Sequence, residues 1–170
     1  GWNVDKAGDD AKVVDGEIHL LTKRNLWFNH ERQFANFELV AEAMMPDGGY
    51  NSGIGFRCQT DKRFTGYQCE IAGPKSGSIY AIGKGWVWPK GKEETDKFAK
   101  MSDGAFKDGQ WNTFRVRCVG DHIQIWVNDV KTADLRDDLF AKGVIAIQHH
   151  GKGDVHRFRN IRVREIEAGQ

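Results

Sequence analysis

The sequence predicts an all-β protein, folded as an antiparallel β-sandwich or barrel. Three observations carry this. Apolar and polar residues alternate with period two in run after run, the mark of half-buried strands. Gly is abundant at 20 residues and Pro scarce at 3 in a chain of 170, which suits tight turns between many strands. No strand pattern alternates with a helical one, so a parallel α/β sheet is not expected. The spacing gives about ten to twelve short strands.

The elements come in chain order. Residues 13–20 read as a hairpin, with Asp15-Gly16 as its turn. In residues 37–44, Phe37, Leu39, Ala41 and Ala43 share one side, and Pro46-Asp47-Gly48-Gly49 closes the run. Residues 54–58 and 67–71 alternate again, and the segment from Gly73 to Gly77 separates two strands. Residues 114–118 set Arg115 and Arg117 against Phe114, Val116 and Cys118. Gly120-Asp121 and Asn128-Asp129 mark turns around 123–128, and the runs 144–148 and 158–166 complete the set.

One stretch breaks the rhythm. Residues 83–110 form a long connection with Trp86 and Trp88, and a short helix fits at about residues 93–100. Connections of that length are functional loops or disordered inserts. Two tryptophans favour the functional loop.

Length and composition bound the rest. A chain of 170 residues suits one domain with a real core, taken as 1–170. Lys and Arg total 25 against 24 Asp and Glu, a net charge of +1. That balance removes the electrostatic case for nucleic acid or an anionic membrane as the main partner. No apolar run approaches the ~20 residues of a membrane span, and none follows a basic segment at the start, so no signal peptide is expected in this chain. Three cysteines exclude a full internal disulfide framework. Cys58, Cys69 and Cys118 fall on apolar sides and read as buried thiols, with a Cys58–Cys69 bond open to an oxidising compartment.

Seven motifs occur in order: Asn51 to Arg57, Gly66 to Ile71, Gly77 to Tyr80, Gly109 to Val116, Trp126 to Asn128, Gly143 to Gly151, and Phe158 to Arg162. Together they resemble the 3-keto-disaccharide hydrolase domain family across nearly the whole chain. The resemblance implies a concanavalin-like jelly roll, two curved antiparallel sheets whose concave face meets sugars. It implies cleavage of glycosides already oxidised at C3, and residence in a bacterial periplasm or exterior. The family often carries an acidic residue before His-Gly where this chain has His149-His150-Gly151, and often places Glu before Gln where this chain has Gln68 and then Glu70.

Alternation puts Arg57, Gln68, Glu70, Arg115, Arg117, Gln124, Trp126, Gln148 and His150 on the non-core faces. Arg115 and Arg117 read as plain outer-surface residues. Sugar sites need flat aromatic faces and planar or charged hydrogen-bonding groups. Trp86, Trp88 and Trp126 supply the first, with Tyr80 beside them. Asn51, Arg57, Gln68 and Gln148 supply the second. Trp2 and Trp111 are expected in the core, and His19, His30, His122 and His156 at the surface.

A C3 ketone acidifies the C2 proton, so a base can remove it and the enolate can expel the glycosidic oxygen. The expected base is His150 or His149, with Arg57 at the enolate oxygen and Glu70 as acid or sugar holder. Adjacent strand residues face opposite ways, so the histidines meet at one site only where the strand ends or bulges. No cofactor is expected and no metal motif is present. A divalent metal held by Glu70 with His149 or His150 stays open. Only Glu70 stands out for a two-carboxylate glycosidase. The alternatives are a carbohydrate-binding module of a larger secreted protein and a laminin-G-like protein-interaction domain.

Overall fold

A computed structural model describes residues 1–3 and 7–167. Among them run thirteen strands and one α-helix: β1 (Ala11–Val14), β2 (Glu17–Leu21), β3 (Leu26–Phe34), β4 (Phe37–Met44), β5 (Ser52–Gln59), β6 (Thr65–Ile71), β7 (Ile79–Ile82), β8 (Gly85–Trp88), α1 (Gly91–Met101), β9 (Asn112–Val119), β10 (His122–Val127), β11 (Val130–Arg136), β12 (Gly143–His149) and β13 (Val155–Glu165). All pairings are antiparallel. One sheet has seven strands in the order β1-β2-β13-β4-β9-β10-β11, and the other has six in the order β3-β12-β5-β6-β7-β8. The expected sandwich is what forms, with strands crossing repeatedly between the sheets in jelly-roll fashion.

The period-two pattern decides which faces meet. Phe37, Leu39, Ala41 and Ala43 are fully buried, as are Phe114 and Val116 on β9 and Ile123, Ile125 and Val127 on β10. From the six-stranded sheet, Ile54, Phe56, Tyr67, Cys69, Ile71 and Ile79 complete the core. The first hairpin turns at Asp15 (φ 50°) and Gly16 (φ 79°), the left-handed pair that Asp-Gly favours.

The stretch 83–110 is more ordered than a loop. It contains β8 and then α1, longer than the expected 93–100. The helix opens with Glu93 and Glu94 in its first turn, where they favour the helix dipole. Its buried residue is Phe98. No helix among the described residues is long and apolar enough to cross a membrane.

Two expectations about packing need correction. Trp111 lies beneath Arg159 (guanidinium 3.9 Å from the ring centre) and Arg157 rather than in the core. Trp2 does pack toward the core, stacked on Phe28 at 5.1 Å. His156 is buried, because it stands two residues before core Phe158 on β13 and shares its face. All three cysteines are buried and free, as their place on the apolar sides predicts, and the bond left open between Cys58 and Cys69 does not form.

Candidate functional site

Six-stranded β-sheets expose one face unless something lies over it. Here β5 and β12 are buried on both faces. The register shows what covers the outer one. One row across the sheet runs Trp27, Gln148, Gly53 and Glu70; the next runs Asn29, Ala146, Gly55, Gln68, Tyr80 and Trp86. Small residues occupy the middle of both rows, and larger neighbours lie down over them.

Gly53 is the clearest case. A Cβ there would stand 2.7 Å from Cγ and Nε2 of Gln68. Its absence lets Gln68 lie flat, which delivers its amide between two partners. Nε2 of Gln68 donates to Oε2 of Glu70 (2.9 Å) and to Oε1 of Gln148 (3.2 Å). Gln148 donates onward to Oδ1 of Asn25 (3.0 Å). Gln68, Glu70 and Gln148 are only 4–6 % exposed although they sit on an outer face. Trp27 covers Gly55 from the other side and stacks on Phe64 at 4.9 Å.

Burial fixes the electrostatics. Removing Glu70 from water penalises its charged form and pushes its pKa up to about 7, while Lys75 pulls the other way. The result is a carboxyl able to hold or release a proton near neutrality. On the next strands Tyr80 meets Trp86 edge-on at 5.2 Å, and Trp86 is 40 % exposed. Trp86, Lys75 and Ser78 also line a groove of about 650 Å³ that continues along α1 to Phe98. Glu70 is not in its lining, but its backbone N–H donates to the carbonyl of the lining residue Ser78 (3.0 Å), so the groove begins one backbone step from Glu70.

Asn51 and His150 stand at the rim, at the ends of β5 and β12. The His150 N–H bonds the Asn51 carbonyl at 3.2 Å, and the His150 side chain is exposed. The Asn51 Oδ1 is buried with no hydrogen-bond partner among the described residues.

Four expected site residues are placed elsewhere. Arg57 adopts φ 50° in a bulge of β5 and turns inward, where it is 1 % exposed. Its guanidinium donates to the carbonyls of Ala35 (2.6 and 3.0 Å) and Phe140 (3.1 Å). Trp88 faces the core side, and its indole N–H donates to the Thr132 carbonyl at 2.8 Å. Trp126 lies on the outer face of the other sheet under Arg115, 3.9 Å from its ring centre. His149 comes two residues after core Ile147 and points between the sheets. There it stacks on His156 at 3.9 Å. Burial first, and the neighbouring His149 second, push the His156 pKa down to about 4.

The sheet thus gathers Gln68, Glu70, Gln148, Tyr80, Trp86, Asn51 and His150. It also gathers Asn25, Trp27, Phe64 and Lys75, which the sequence pattern did not single out. Trp27 was legible in principle, since Leu26 and Phe28 flank it and both are buried.

A jelly roll with amides, one carboxyl and open aromatic rings recessed into a sheet face belongs among the carbohydrate-related sandwiches. The chain itself belongs to the family described as the 3-keto-alpha-glucoside-1,2-lyase-like domain, whose model matches residues 1–164. Among solved structures it is similar to two proposed glycosyl hydrolases from Parabacteroides distasonis ATCC 8503. One is 21 % identical, with TM-score 0.70, covering 98 % of this chain and 100 % of that one. The other is 15 % identical, with TM-score 0.68, covering 93 % and 84 %. It is also similar to the carbohydrate-binding module CBM66 from Bacillus subtilis, at 12 % identity and TM-score 0.66, covering 91 % of each chain. At these identities the likeness is one of fold. No curated protein matches the sequence.

Proposed function

We propose that the protein cleaves the glycosidic bond of 3-keto-glycosides by elimination, with Glu70 as the proton carrier. The observation that carries this is a single buried carboxyl, poised near neutrality and oriented by Gln68 beside exposed rings. As a carboxylate, Glu70 takes the proton from C2. The C–H electron pair enters a C2–C3 enolate, with Lys75 and the second amide N–H of Gln148 as the nearby donors for the C3 oxygen. The enolate then reforms the ketone, a C1–C2 double bond forms, and the C1–O bond breaks. The departing oxygen takes a proton from Glu70, or from His150 at the rim, and leaves as an alcohol. Water adding later to the double bond would give net hydrolysis. His149 and Arg57, buried inside, take no part.

One carboxyl suits this route better than ordinary glycoside hydrolysis. That needs two carboxyls about 5–9.5 Å apart, and Glu70 is alone in the two rows among the described residues. The same fact supports a second reading, a binding module that holds an oxidised sugar without cleaving it. Chromogenic 3-keto-glucoside and plain glucoside, offered side by side, separate the two. Release from the oxidised sugar alone, reduced about 100-fold or more in Glu70→Gln, is the expected result. Full-rate release by that variant overturns the role of Glu70. Binding with no release from either substrate leaves the module.

A further inference from the structure

We infer that His149, Asp154 and His156 bind one divalent transition-metal ion between the two sheets, at the opposite side of β12 from the recessed polar face. His149 ends β12 in one sheet, His156 begins β13 in the other, and Asp154 sits in the turn that joins them. One ligand atom from each residue falls within 4.8 Å of the others. Oδ1 of Asp154 is 3.1 Å from Nε2 of His149 and 3.4 Å from Nε2 of His156.

The hydrogen-bond accounting points to a ligand. His156 is 1 % exposed, and neither of its ring nitrogens makes a well-aligned hydrogen bond among the described residues, Nε2 meeting the Asp154 carboxylate only at ion-pair distance. Oδ1 of Asp154 is buried as well, facing the two ring nitrogens with no well-aligned hydrogen bond to either. Unmade bonds on buried polar atoms are costly and rare. Two stacked imidazoles cannot satisfy each other through their faces. Two imidazole nitrogens and a carboxylate oxygen are a ligand set for zinc and similar ions, and once one ring turns out of the stack, so that both ring planes contain the ion, they would close to about 2.0–2.2 Å around it.

Binding has a defined consequence for His149. Its Nδ1 now accepts the Gly151 N–H at 2.8 Å, and its Nε2 donates to the Asp154 carbonyl at 2.8 Å. Coordination through Nε2 moves that proton to Nδ1, so the Gly151 N–H must let go. Gly151 (φ 93°) and Gly153 (φ 80°) give the turn the freedom to shift. The same turn carries His150, so ion uptake moves the rim of the recessed face.

The test starts from the whole chain freed of metal by chelator dialysis. Calorimetric titration with ZnCl2 is expected to show one tight equivalent and a raised thermal midpoint. His156→Leu and Asp154→Asn should each weaken uptake by about tenfold or more. The double variant His19→Gln/His122→Gln, which removes the carboxylate-paired surface histidines, should keep it. Absence of stoichiometric uptake by the unaltered chain overturns the inference. So does uptake unchanged in both His156→Leu and Asp154→Asn. Activity on any sugar is not part of the readout, so failure here leaves the role of Glu70 untouched.

Discussion

Replacing Glu70 by Gln should make the protein more stable at neutral pH, by an amount its burial sets. A carboxyl moved from its ordinary 4.5 to about 7 is worth about 3 kcal/mol, at about 1.4 kcal/mol per unit of pKa. The sign comes from proton counting. Below pH 4.5 the group is protonated whether the chain is folded or not. As pH rises toward 7 the unfolded chain gives up the proton while the folded one keeps it, so stability falls. Above 7 the loss is complete. Gln keeps the shape, accepts from Gln68 through its carbonyl, and never ionises. Urea unfolding of both proteins from pH 4 to pH 8 measures the difference. The variant should gain on the parent through the window from about 4.5 to 7 and hold about 1–3 kcal/mol above it. A difference that stays flat with pH would mean that Glu70 titrates normally, and the proposed chemistry would lose its proton carrier.

Three further outcomes are expected. Gly53→Ala should displace Gln68, whose Cγ lies 2.7 Å from the new Cβ, and weaken binding of 3-keto-glucose about tenfold, the worth of one lost hydrogen bond or so; calorimetry showing unchanged affinity would refute it. Arg57→Met should cost about 2–4 kcal/mol of stability through lost bonds to the Ala35 and Phe140 carbonyls. The folded fraction should turn over substrate at the parent rate, and lost turnover at full stability would contradict the inward placement. A thiol reagent should label none of Cys58, Cys69 and Cys118 in the folded protein within minutes and all three in urea, because burial pushes every one of these thiols up and keeps it from solvent. Rapid labelling of the native protein would refute that.

The strands with clean alternation were legible, because burial on one face and water on the other writes itself into period two. Residues 37–44 and 123–127 face as the pattern required. The same rule located Gln68, Glu70 and Gln148. It failed at Arg57 because a bulge inverts the face there, and the cause lies far off in sequence. A Cβ at Gly66 or at Gly143 would stand 2.6 Å from the Cys58 backbone or 2.3 Å from its carbonyl. Two glycines on neighbouring strands thus make room for the bulge, and neither adjoins Arg57 in the chain. Trp126 failed differently. Alternation correctly turned it away from the core, but which of two outer faces it reaches depends on topology. β3, β8 and β11 went unread, and Asn25, Trp27 and Phe64 were missed beside the first of these. His149 and His156 had a signal, the spacing of two from Ile147 and Phe158.

The bond from Trp88 to Thr132 ties together the terminal strands of the two sheets, since β8 ends one and β11 the other. Thr132 adds a second tie, its hydroxyl reaching the Gly77 carbonyl at 3.0 Å, and α1 packs alongside β11. Open sheet margins invite foreign strands to join them and are seeds for fibrous aggregates. By stitching one margin of each sheet to the other and laying a helix next to the seam, the segment 83–110 keeps those two margins from recruiting foreign strands, besides forming a wall of the groove.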